Sequence, residues 1–111
     1  MMPLFHVGGI VRNVLAPIMA GGATLLAPSF DAVLFWDVVE HASVTWYYAA
    51  PTMHQILLAE GKQRSPAPRH RIRMIANAAG GLLPSLAQEM RAFYGCCVLP
   101  SYGMTECMPI S

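Results

Sequence analysis

The stretch Val44-Thr45-Trp46-Tyr47-Tyr48-Ala49-Ala50-Pro51-Thr52 decides how the rest of the chain is read. Residues 44–49 are dense in β-branched and aromatic side chains, which suit a pleated surface packed on both faces, so they predict a central strand. Pro51 fits the first turn of a following helix, where its missing N–H costs nothing. That helix carries Leu57, Leu58 and Ala59 and is expected to stop at Gly61.

Outward from this strand and helix the pattern repeats. Towards the C-terminus, residues 72–76 predict another strand, running into the small-residue turn Asn77-Ala78-Ala79-Gly80-Gly81. Pro84 then opens a helix with Leu86, Met90 and Phe93 on one side, Gly95 ends it, residues 96–99 form a further strand, and residues 100–106 make its closing turn. Towards the N-terminus, Asp31 is placed to cap a helix through Glu40, and the short apolar run 23–27 has strand length. Before it, Ile10, Val11, Val14, Leu15, Ile18 and Met19 recur at helical spacing, with Pro17 expected to kink or shorten the helix and Gly21-Gly22 to end it.

Strands alternating with helices of about ten residues imply right-handed crossovers. The expected fold is α/β, a mainly parallel sheet of about four strands with helices on both faces. Ligands of such sheets bind beyond the carboxyl ends of the strands. That rule selects residues 49–52, 77–81 and 101–106.

Composition narrows the classes. The 111 residues fit one domain, yet 55% are hydrophobic and only 12% charged, against about 25% charged in ordinary soluble domains. So little polar surface predicts a piece of a larger body. No run approaches the roughly 20 apolar residues of a membrane span, and the N-terminus lacks the marks of a secretory or transit signal, so a cytoplasmic setting is expected. Net charge is +1, which gathers no polyanion. Residues 62–73 hold five of the seven basic side chains, but Gly61, Pro66 and Pro68 mark a solvated loop without aromatics to stack on bases, so nucleic acid is not an expected partner.

The three cysteines, with Cys96 and Cys97 adjacent, suit reduced and mostly packed thiols. The four histidines show no zinc-ligand spacing, and His41, His54 and His70 read as ordinary structural residues.

The three selected loops, together with Pro3-Leu4-Phe5-His6-Val7-Gly8-Gly9, resemble the adenylate-forming (AMP-binding) superfamily of acyl- and aryl-CoA ligases, luciferases and peptide-synthetase adenylation domains, over essentially the whole chain. The sharpest match is Tyr102-Gly103-Met104-Thr105-Glu106, which looks like the family's Tyr-Gly-x-Thr-Glu motif. The resemblance implies that Tyr102 stacks on adenine, that Gly103 lets the backbone approach the nucleotide, that Thr105 donates to an α-phosphate oxygen, and that Glu106 is an oxygen ligand for Mg²⁺. Ser101 and Met104 belong to the same nucleotide-binding turn. Taken singly, Tyr102 also reads as a packed aromatic, Thr105 as a helix cap and Glu106 as a solvated acid.

Asn77-Ala78-Ala79-Gly80-Gly81-Leu82-Leu83-Pro84 is similar to the family loop that covers the other face of adenine, which places Ala78, Ala79 and Gly80 against the base. Gly81 stands where proline is common and Asn77 where a smaller residue is usual, so a looser loop is expected. His6 resembles the position that lines the acyl pocket and admits the carboxylate, which joins it to Thr105 and Glu106 as a catalytic candidate; a buried neutral imidazole is the alternative. Phe5, Val7 and Gly9 would neighbour that pocket, and Ala50-Pro51-Thr52 would lie near the acyl group. The Pro-Leu-Phe-His-Val-Gly-Gly form looks more like acyl- or aryl-CoA ligases than peptide-synthetase domains.

The implied reaction joins a carboxylic acid to ATP as an acyl-adenylate and passes it to coenzyme A or a carrier-protein phosphopantetheine. The family's phosphate loop and adenylation lysine have no counterpart among these residues; Lys62 is the only lysine and sits in the basic loop. The chain alone is therefore expected not to turn over ATP, the remainder of a parent enzyme is an expected partner, and exposed apolar faces predict self-association. The competing class is a non-catalytic flavodoxin-like interaction or regulatory module. A hydrolase would need a Gly-x-Ser-x-Gly elbow that the sequence lacks.

Overall fold

A computed structural model describes residues 2–107. Its centre is a three-stranded parallel sheet in the order β1 (Trp46–Ala49), β2 (Met74–Asn77), β3 (Cys97–Leu99). Register sets Tyr47 opposite Ile75 and Ile75 opposite Val98. The intervening helices are α3 (Pro51–Gln63) and α4 (Pro84–Tyr94), each with proline at its start as the sequence predicts. Helix α2 (Ala32–Ala42) precedes β1 and is capped by the Asp31 carboxylate, which accepts from the Leu34 amide at 2.9 Å.

The strand period of two divides the side chains between two cores. Tyr47, Ala49, Ile75 and Val98 face one side and pack with Trp36 and Val39 of α2, Leu57 and Leu58 of α3, and Leu86, Met90 and Tyr94 of α4. Because both crossovers advance the same way across the sheet with the same hand, α3 and α4 share that face. Tyr48 faces the other side with Met2 and Ala78. There the cover is a helix wound as a π-helix over Gly8–Leu15 and as α1 over Ala16–Met19. The change of winding falls at Pro17, which has no N–H to continue the wider hydrogen-bond pattern.

Four expectations need correction. Residues 23–27 form no strand; Leu25 and Leu26 are well exposed, and among the described residues no strand pairs with this segment, which a cleft separates from the free edge of β1. The sheet therefore has three strands among the described residues, not about four. Gly61 does not stop α3 but lies buried within it, because a Cβ there would stand 2.6 Å from Trp36 Cζ2 and 2.9 Å from Phe93 Cζ. The basic loop is less free than expected: Arg64 bonds Asp37 at 2.8 Å and Glu60 at 3.3 Å, and Lys62 bonds Glu89 at 2.8 Å. Finally, Cys97 is exposed on β3, an edge strand, and only Cys96 is partly covered.

Candidate functional site

The carboxyl ends of β1, β2 and β3 meet at one edge of the sheet, and three turns leave from it. The turn after β2 is preshaped by its own residues. Asn77 is 1% exposed, its Nδ2 donates to the Gly80 carbonyl at 2.7 Å, and the Ala78 amide donates to Ala49 O at 2.8 Å. Ala79 is held at φ +52°, left-handed backbone that a non-glycine residue adopts only under local constraint. The asparagine thus tightens this turn, and the looser loop expected from it is not observed. Ala78 packs inward on Tyr48 and Met2, which leaves Ala79, Gly80 and Gly81 as the open surface.

The turn after β3 is tied to this one. Ser101 Oγ donates to the Asn77 carbonyl at 2.6 Å. Beyond Ser101 the chain closes a tight reverse turn, with paired backbone bonds between Met104 and Cys107 at 3.0 and 3.2 Å. Thr105 and Glu106 occupy the tip of that turn and are exposed, and Tyr102 presents its ring with 59% of its surface free. Their side chains make no hydrogen bond or ion pair among the described residues. The alternatives of a packed aromatic and a helix cap find no support: Tyr102 lies in neither core, and Thr105 precedes no described helix.

The third component is the N-terminal turn. Gly8 donates its amide to His6 Nδ1 at 3.0 Å, which orients the ring. A Cβ on Gly8 would lie 3.2 Å from His6 Nδ1 and 3.2 Å from the Tyr48 hydroxyl, so His6 and Tyr48 flank the same glycine. His6 is half-buried rather than enclosed, and Phe5 is almost fully exposed. At Gly9 a Cβ would fall 2.0 Å from Pro3 O, so only glycine permits this fold-back.

Sequence reasoning missed one side chain here. Arg12 lies one turn beyond Gly8, its guanidinium 5.0 Å from the centre of the Tyr48 ring, and its Nη1 donates to Ser101 Oγ at 2.9 Å. It joins the His6 turn to the Tyr102 turn. No motif signals it; only the fold brings position 12 to position 101.

A cleft of about 1030 Å³ lies elsewhere, along the free edge of β1 between residues 23–30 and α2. It shares Pro3, Leu4 and Phe5 with the N-terminal turn but none of the nucleotide candidates. No group of three or more metal-ligating side chains occurs among the described residues. A lone Glu106 carboxylate fits Mg²⁺ in one way, as one oxygen ligand beside a substrate's phosphates and water.

A parallel α/β sheet with small-residue and Tyr-Gly-x-Thr-Glu turns at its carboxyl edge is the arrangement of one part of the N-terminal fold of adenylate-forming enzymes. The chain belongs to the AMP-binding enzyme family, whose model matches residues 1–111. It is 35% identical over 107 residues to an oxalate–CoA ligase of Arabidopsis thaliana, covering 95% of this chain and 21% of that protein. Among solved structures it resembles the o-succinylbenzoate coenzyme A synthetase of Bacillus subtilis in complex with AMP, with TM-score 0.78 and 30% identity, covering 95% of this chain and 21% of the other. ATP-bound MatB from Rhodopseudomonas palustris gives TM-score 0.78 and 28% identity, with coverage of 95% and 20%. The chain thus spans about a fifth of the length of its relatives.

Proposed function

We propose that this chain supplies the adenine-binding and acid-binding edge of an ATP-dependent carboxylic acid–thiol ligase. The observation that carries the reading is the Ser101 to Asn77 bond, which sets the Tyr102 turn against the small-residue turn. Adenine lies between the Tyr102 ring and the Ala79–Gly80 backbone, with Thr105 donating to the α-phosphate. A carboxylate oxygen of the acid attacks the α-phosphorus as the bond to pyrophosphate breaks. A thiol, coenzyme A or a carrier pantetheine, then attacks the acyl carbon and AMP departs. Mg²⁺ on Glu106 would neutralise charge on the phosphate oxygens. His6, turned by the Gly8 amide, borders the acid. The relatives named for oxalate and o-succinylbenzoate act on acids with a second carboxylate.

The test is AMP binding by calorimetry. Tyr102→Ala is expected to weaken it by about 1–3 kcal/mol, the worth of one base-stacking contact. Because the ring is exposed and in neither core, melting temperature should not move. Equal affinity of the variant and the parent would remove the stacking role, and no AMP binding by the parent chain would count against the whole reading.

A further inference from the structure

We propose that Arg12 binds a second anionic group on the acid, so that the substrate class is a short acid with two anionic groups, such as a dicarboxylate. This rests on the ligase reading above. A guanidinium carries five N–H donors in a fixed fork, and among the described residues Arg12 spends one, on Ser101 Oγ. It has no carboxylate partner: each described ion pair involves Lys62 or Arg64. Among the described residues it is also the only basic side chain bonded to a turn at the sheet's carboxyl edge. A partly buried cation with unused donors, at an edge that must hold an acid, is an anion site by its chemistry.

Position supports a substrate role. Tyr48 has the Arg12 guanidinium over its ring and Gly8 beside its hydroxyl end, where a side chain on Gly8 would reach both the hydroxyl and His6 Nδ1. Arg12 and the turn that carries His6 thus converge on Tyr48, which would set the far end of a short acid held at His6 toward Arg12. The ring and the Ser101 bond hold the guanidinium in place and leave its remaining donors to a planar carboxylate.

The competing account makes Arg12 a strut that only positions Ser101. Binding of malonate and of propionate, acids of equal carbon number that differ in the second carboxylate, separates the two, with AMP affinity measured in parallel. Malonate is expected to bind about ten- to a hundredfold more tightly than propionate, the worth of a charge-assisted pair. Arg12→Gln should abolish that preference while AMP affinity holds, and Arg12→Lys should keep part of it. AMP binding without a malonate preference, or a preference that survives Arg12→Gln, overturns the proposal and leaves the ligase reading standing. Loss of AMP and malonate binding together in both Arg12→Gln and Ser101→Ala also overturns it, in favour of the strut. An arginine-dependent malonate preference in a chain that binds no AMP sinks the nucleotide reading and supports the anion site.

Discussion

Trp36→Ala is expected to cost about 3–5 kcal/mol of folding stability, as truncation of a fully buried large aromatic does. Trp36 is 0% exposed, stacks on Tyr94 with ring centres 5.6 Å apart and planes 12° off parallel, and meets Phe35 and Phe93 edge-on. Its indole N–H donates to the Leu57 carbonyl at 2.9 Å, fixing α2 against α3. Domains of this size have about 5–15 kcal/mol in total, so a fifth or more would go with one side chain. Urea denaturation measures it, and a loss under about 1 kcal/mol would contradict this packing. Gly61 supplies an internal control. Gly61→Ala should destabilise the parent chain, where the new methyl meets the indole and the Phe93 ring, and cost less in the Trp36→Ala background, where only the Phe93 ring remains in its way. Additive effects would mean that the two residues do not touch.

The second large effect is acid sensitivity from His54. Its ring is fully enclosed in the first turns of α3, 5.5 Å from the Tyr47 ring, and neither ring nitrogen meets a hydrogen-bond partner in good geometry. Burial lowers its pKa from 6.5 to about 4, and the nearby Ala49 backbone only partly opposes this. The unfolded chain therefore takes up a proton on this ring between pH 6.5 and 4 while the folded chain does not. Stability from the neutral ring is complete above about pH 6.5 and falls with pH through that window, by about 3 kcal/mol in all. His70, partly buried, is shifted in the same direction by burial and adds to the slope. His54→Leu should flatten most of the decline in stability between pH 7 and pH 4.5. Parallel curves for the two proteins, or an NMR titration showing His54 charged at pH 6, would refute the assignment. Tyr94, pushed up to about 12 by burial, and Tyr47, likewise raised by burial, stay neutral throughout.

Much of the architecture was legible because local rules and tertiary demands agree. Asp31, Pro51, Pro84 and Gly95 mark helix ends by backbone chemistry that neighbours do not alter, and each stands where the sequence puts it. The misreadings share one cause. Residues 23–27 have a strand's composition, but a strand is defined by a partner, and none of the described residues provides one. Gly61 carries the mark of a helix stop, yet its missing side chain serves an indole 25 residues earlier in the chain.

The same division holds at the site. By itself the sequence determined the family, the order of the turns and the identity of the Tyr102, Thr105 and Glu106 candidates, because these residue types bring their chemistry with them. The folded chain alone shows that Asn77 stiffens the base-side turn, that Ser101 ties the two turns together, and that Arg12, on the helix after His6, reaches Ser101. Those facts are distances between residues up to 89 positions apart, and side-chain spacing along a chain carries no record of contacts that only a folded sheet creates.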